Sequence, residues 1–209
     1  MVRSRAAVIA AARTLFLRNG YAGTTMEEVA EAAGLTKRTV YNIYSDKSAL
    51  FSEIVADVMA FAERFARELP AAFREVRGPD PGPALHGLGR RLALAILRPE
   101  VIALRRLLIR EAGTFPELGA QYFERAPGRV LVALTEGFAG LHRARLLRTE
   151  DPRRAAEQFA YLVVGAPLDR AMLVGTVPGE DEVISRATDG VDTFLARYRV
   201  PRKPAKRSR

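Results

Sequence analysis

Apolar residues recur at steps of three and four along almost the whole chain, and strand signals are scarce. That period lines side chains along one face of an α-helix, not one side of a strand. The chain can therefore bury its apolar half only by packing helices on helices. Ala7, Ala11, Leu15 and Phe16 mark the first such face, and Leu50, Ile54, Val58, Phe61 and Phe65 mark a much longer one. The expected fold class is all-α.

Punctuation divides this pattern. Asn19-Gly20 suits a left-handed C-terminal cap for the first helix. Thr25 and Glu28 have the spacing of a capping box, in which side chain and backbone satisfy each other at a helix start. That helix runs through Val29 and Ala33 and stops at Gly34. Thr36 can cap a second short helix, Lys37 to about Tyr44. Ser45-Asp46 breaks the chain and caps it again, and a long helix follows, about Lys47 to Leu69. Pro70 and the run GPDPGP at 78–83 mark a loop. Helical segments are then expected at about 84–97, 99–113, 116–143 with a break at Pro127-Gly128, 152–174 and 180–198. No internal repeat is visible.

Composition narrows the classes. With 209 residues, 48% of them apolar, the chain has material for one large or two small domains. It has no cysteine, which excludes a disulfide framework, a zinc–thiolate site and a cysteine nucleophile. Arg13 and Arg18 interrupt the apolar residues near the N-terminus, so that segment reads as an amphipathic helix and not as a signal peptide. No apolar run approaches the ~18 residues of a membrane span, and a cytoplasmic location is expected. The formal charge is +9. Six cations from Arg199 onward (Arg199, Arg202, Lys203, Lys206, Arg207 and Arg209) leave a body of 9 − 6 = +3. Most of the basicity thus sits in a Pro- and Lys/Arg-rich tail, 199–209, expected to be disordered. The tail can strengthen nonspecific DNA association through counterion release or serve as a solubilising segment.

The stretch GLTKRTVYNIYSDKSALF, 34–51, has too few apolar residues for a core helix. Two short helices joined by a Gly-containing turn, the second polar and basic, form a helix-turn-helix arrangement. Met26, Val29, Ala30, Ala33, Leu35, Val40 and Tyr44 can pin the pair to the first and the long helix. Lys37, Arg38, Thr39, Tyr41 and Asn42 are left on the outer face. A helix of about two turns fits a major groove ~12 Å wide. Thr25 and Lys47, each at a helix N-terminus, can hold phosphates alongside free backbone N–H groups.

Residues 5–51 closely resemble the N-terminal domain of TetR-type transcriptional regulators. The resemblance rests on Ala11-Ala12, Leu15-Phe16, Gly20-Tyr21 and Thr24-Thr25-Met26. It continues through Val29-Ala30, Ala33-Gly34-Leu35, Thr39-Val40-Tyr41, Asp46-Lys47 and Leu50-Phe51. The block from Leu104 to Glu124 is similar to the C-terminal domain of an AefR-like subgroup. Two positions depart from the pattern. Arg38 stands where many relatives have Gly, and Ile43 replaces what is often a polar aromatic. The resemblance thus implies DNA binding without implying which bases are read.

The resemblance implies roles as well. Tyr41 and Lys47 look like phosphate anchors, and Thr25 like a cap that also touches phosphate. Lys37, Arg38, Thr39 and Asn42 are the base-edge candidates, and Thr36, which caps their helix, completes the DNA-facing set. Arg3 and Arg5 form either an arm toward the DNA or a solvated, fraying end. Tyr44 is assigned to packing. The implied organisation is a helix-turn-helix DNA-binding domain at 1–50, a helical ligand-binding and dimerisation domain at 51–198, and the tail. The implied partners are a palindromic double-stranded operator, a second copy of the chain and a small-molecule effector of unknown identity. Phe159, Leu162, Val163, Leu168, Met172, Val191, Phe194 and Leu195 are the candidate dimer seam, with intrachain core as the competing reading. Leu104, Leu107, Leu108, Phe115, Tyr122, Phe123, Leu134, Phe138 and Tyr161 are available to line a ligand cavity, with Arg110, Glu111, Gln121 and Gln158 as polar contacts.

An enzyme is the rival class. The only histidines, His86 and His142, lie in different helical segments. No metal-ligand spacing, phosphate-binding glycine loop or nucleophile elbow is present. No catalytic residue, metal or cofactor is expected. An architectural DNA-binding protein of the same fold, without ligand control, is the alternative.

Overall fold

The computed structural model describes residues 2–76 and 78–201. The fold is all-α: α1 (Val2–Asn19), α2 (Met26–Ala32), α3 (Lys37–Ile43), α4 (Lys47–Arg74), α5 (Gly82–Ile96), α6 (Pro99–Arg110), α7 (Pro116–Phe123), a π-helical turn (Glu124–Gly128), α8 (Arg129–Arg143), α9 (Pro152–Val174) and α10 (Glu180–Tyr198). The only extended pairing among the described residues is an isolated antiparallel bridge between Leu147 and Arg199. No described helix is long and apolar enough to cross a membrane.

The described residues fall into two compact units, those of 1–64 with 99–128 and those of 65–98 with 129–209. In the first, α1 packs on α2 and α6, and α2 on α3. Its core joins Val8, Ala12, Phe16, Val29, Val40, Leu50, Phe51, Ile54 and Val55 to Leu104, Leu107, Leu108 and Tyr122. Four aromatic rings meet there. Phe16, Phe51 and Tyr21 lie within 5.8 Å of one another by ring centroid, and Phe115 lies 4.7 Å from Tyr21 and 5.2 Å from Phe51. Such offset and edge-on pairs contribute about 1 kcal/mol each beyond the area they bury.

In the second unit, α10 packs on α9 and α5, and α9 also on α8 and α5. Phe138 lies at its centre, 5.0–5.5 Å from the rings of Phe73, Phe159 and Phe194. The helices approach closely at glycines. A Cβ on Gly190 would meet the carbonyl oxygen of Leu162 at 2.3 Å, and one on Gly137 would meet the ring of Phe73 at 2.2 Å.

Some expected boundaries move. α4 does not stop before Pro70 but continues to Arg74. Proline in a helix interior costs one hydrogen bond and crowds the preceding turn. Burial of Leu69 and Ala72, and the seating of Phe73 on Gly137, offset that cost. α6 ends at Arg110, where the chain turns through 111–114 instead of continuing to 113. The break expected at Pro127-Gly128 is a π-helical turn. Pro167 lies within the continuous helix α9.

The candidate dimer seam is largely intrachain core, because Phe159, Val163, Val191, Phe194 and Leu195 are buried within one copy. Leu162 is 41% exposed and Leu173 75% exposed. Of the segment read as a basic tail, Arg199 pairs with Asp80 at 2.7 Å and the amide of Val200 donates to Leu146. Its remaining cations, Arg202, Lys203, Lys206, Arg207 and Arg209, lie outside the described residues.

Candidate nucleic-acid interface

The α2–α3 pair is built by local chemistry. Thr25 makes the expected capping box: its hydroxyl accepts the Glu28 amide at 3.2 Å, and the Glu28 carboxylate accepts the Thr25 amide at 2.7 Å. The bond from the Thr25 amide, with a second from the Thr25 hydroxyl at 2.9 Å, holds the Glu28 carboxyl below its ordinary range. At the far end of α2, the amide of Leu35 donates to Ala30 and that of Gly34 to Glu31. This crossed pair is a Schellman cap, and it requires the left-handed backbone that Gly34 adopts at φ +66°. Thr36 then starts α3 by accepting the Thr39 amide at 3.2 Å, while the two hydroxyls lie 2.9 Å apart. Asp46 caps α4 through the amide of Ala49 at 2.8 Å, which holds its carboxyl below the usual range.

Packing fixes which face of α3 is outward. Val40 is fully buried, and Met26, Val29, Ala30 and Tyr44 are buried with it, while Ala33 and Leu35 are partly buried against them. Tyr44 thus occupies the packing position assigned to it. Lys37, Arg38, Tyr41 and Asn42 are exposed and Thr39 is half-buried. Lys37 is ion-paired with Glu27 and its ammonium lies 5.7 Å from the Tyr41 ring. The side chains of Arg38 and Asn42 make no hydrogen bond or ion pair among the described residues. Arg5 lies in α1, its guanidinium 2.7 Å from Glu53, so it does not extend as an arm.

Lys47 is partly internal. Its ammonium donates to the carbonyls of Tyr21 and Thr24, both at 2.8 Å, and sits 4.4 Å over the Tyr21 ring. Two of its three donors are thereby used. The amide of Tyr21 donates to Glu111 at 3.2 Å, and Arg110 donates to the carbonyl of Phe16 at 3.3 Å. The guanidinium approaches so closely that a Cβ on Gly20, at φ +83°, would meet it at 2.8 Å.

Arg110 and Glu111, assigned above to a ligand cavity, are thus attached to the end of α1. Leu104, Leu107, Leu108 and Tyr122 belong to the core of the first unit, Leu134 and Phe138 are buried in the second, and Phe123 and Tyr161 are exposed. The histidines lie apart: His86 faces Asp192 at 3.1 Å, and His142 accepts the amide of Thr149. Sequence reasoning missed Glu27, Tyr21 and the true setting of Glu111. Glu27 carries a weak signal as an acid in the first turn of α2, but its pairing with Lys37 depends on the inter-helix angle.

Residues 8–54 match the family model described as bacterial regulatory proteins, tetR family. Residues 83–200 match that of the AefR-like transcriptional repressor C-terminal domain. A TetR-family transcriptional regulator from Mesorhizobium loti is 32% identical, with a TM-score of 0.83 over 95% of this chain and 98% of that one. The flavonoid-responsive regulator FrrA is 28% identical, with a TM-score of 0.68 over 97% of this chain and 100% of its own. The HTH-type transcriptional regulator AcrR of Shigella flexneri is 33% identical over 108 residues, 52% of this chain. That match spans about half the length of the relative, 46%.

Proposed function

Because the chain belongs to the TetR family of bacterial transcriptional regulators, with an AefR-like C-terminal domain, we propose that it binds a palindromic operator as a homodimer and represses transcription until a small apolar or amphipathic ligand releases it. The observation that carries this reading is the two-sided character of α3. Val40 is fully buried while Arg38 and Asn42, one a cation and the other an amide, stand exposed beside Lys37 and Tyr41. A guanidinium matches the acceptor pair on guanine, and an amide matches the donor and acceptor on adenine. Thr25, Thr36 and Lys47 stand at helix starts, where N–H groups and cations favour phosphate, and Tyr41 lies on the exposed side of α3. Thr39, tied to Thr36, contributes its outer side to base contact. The site of action is the cytoplasm.

Pairing has a physical motive. One short helix reads few base pairs, and two copies about one helical turn apart add their energies. Leu162, Ala166 and Leu173 share one exposed side of α9, since eleven residues bring a helix back to within ~20°, and this stripe is the proposed contact between copies. The similar regulator FrrA is flavonoid-responsive, which supports a small organic effector for this chain. Such a ligand releases the operator only if it binds the two states unequally.

The test is titration of the purified protein against duplexes tiled across the DNA flanking its own gene, at two salt concentrations. Tight binding to one palindromic segment by two protomers supports the reading. Weak, uniform and strongly salt-dependent binding, unaffected by small molecules, favours the architectural alternative.

A further inference from the structure

We propose that Glu111 is a positioning residue for DNA binding, fixing through Tyr21 the place of the Lys47 ammonium. The inference rests on the phosphate-anchoring role given to Lys47 above.

Glu111 follows the last residue of α6, and its side chain is only 12% exposed. Its Oε1 accepts the Tyr21 amide at 3.2 Å and lies 3.3 Å from the Arg110 Nε. The carbonyl of that same Tyr21 accepts from Lys47 at 2.8 Å, and its ring lies under the ammonium at 4.4 Å. Phe115, four residues after Glu111, packs edge-on against the ring at 4.7 Å. Tyr21 is therefore held on its amide side and its ring by the α6–α7 corner, while its carbonyl and ring face hold Lys47.

A lysine is a point charge on a flexible four-carbon stem. Without fixed acceptors its ammonium samples many positions, and a phosphate contact then carries the full cost of ordering it. The Tyr21 and Thr24 carbonyls supply those acceptors, and Glu111 fixes the turn that presents them. Removing this nearly covered carboxylate takes from the Tyr21 amide the acceptor it has here.

The chain has four lysines, so reductive methylation read by mass spectrometry reports Lys47 directly, with Lys37 as internal reference. In full-length Glu111→Ala the Lys47-to-Lys37 rate ratio should rise about threefold or more, the range of one lost hydrogen bond. Glu111→Gln keeps an acceptor oxygen and should leave the ratio unchanged. Glu111→Asp keeps the charge, withdraws the acceptor and should raise the ratio, and it serves if the alanine variant does not fold. An unchanged ratio in Glu111→Asp and Glu111→Ala overturns the proposal whether or not the protein binds DNA. On a duplex that the wild type binds, the log–log salt slope should also fall by about 0.9 per subunit. A raised ratio with an unchanged slope overturns the link to DNA. A wild type that binds no duplex refutes the DNA reading alone, while methylation still decides whether Glu111 fixes Lys47.

Discussion

The ammonium of Lys37, first residue of α3, is ion-paired with the carboxylate of Glu27 in the first turn of α2. The contact raises the lysine pKa and lowers that of the glutamate, chiefly through the hydrogen bond between them. One cation of the face proposed to read DNA is therefore already ion-paired within the chain. Glu27→Gln should strengthen binding to every duplex, by a margin that shrinks as salt is raised, since it removes a negative charge beside a face proposed to meet DNA. Fluorescence anisotropy on operator and scrambled duplexes measures it. Weaker binding to the operator alone would mean that Glu27 instead holds Lys37 in its reading position.

Arg38 and Asn42 should act differently from the residues proposed to face phosphate. Replacing either with alanine should cost roughly 1–3 kcal/mol at particular base pairs and little elsewhere. A binding selection over randomised half-sites shows this as relaxed preference at one or two positions. A uniform loss across sequences would place the side chain on the backbone.

On α9, the stripe of Leu162 and Leu173 offers a direct test of pairing. Leu162→Arg with Leu173→Arg places two like charges on each copy at the proposed contact, where burying an unpaired charge is costly. Sedimentation should shift from dimer to monomer while the helical circular dichroism signal persists. A dimer that survives both changes rules this stripe out as the contact.

Acid should loosen the reading head. The carboxyls of Glu28 and Asp46 sit below their ordinary values, mainly because backbone amides of Thr25 and Ala49 donate to them. Their unfolded forms bind protons more readily, so their contribution is full above the unfolded carboxylate pKa. It is lost as pH falls through the lowered folded values, below about pH 4. Melting curves from pH 7 to pH 3 should show the fall, and Glu28→Gln should flatten its share. A variant whose acid sensitivity equals that of the wild type removes Glu28 from the explanation.

Features carried by near neighbours were legible in the sequence. The caps at Thr25, Gly34, Thr36 and Asp46 involve residues at most five apart, and each forms as its spacing indicates. So was the outward face of α3, because Val40 and Tyr44 mark its inner side. Long-range pairing was not legible. Apolar pairs at helical spacing, such as Phe159 with Val163 on α9 and Val191 with Phe194 on α10, say that a partner exists, not whether the partner is the same copy or another. Nothing near Glu111 in sequence announces Tyr21, ninety residues away. Pro70 misled because its local cost is visible in sequence, whereas Gly137, which receives Phe73, is remote.

The joining of 1–64 with 99–128 bears on how such a protein can be recombined. A chimaera cut after residue 50 would carry α1 to α3 and leave Phe51, Arg110, Glu111 and Phe115 behind. Four rings would become two, and the Tyr21 amide would lose its acceptor. The reading head is accordingly not a portable cassette. An exchange that keeps its stability has to transplant the 99–128 segment with it, and two such chains diverging separately at either segment would form poor hybrids.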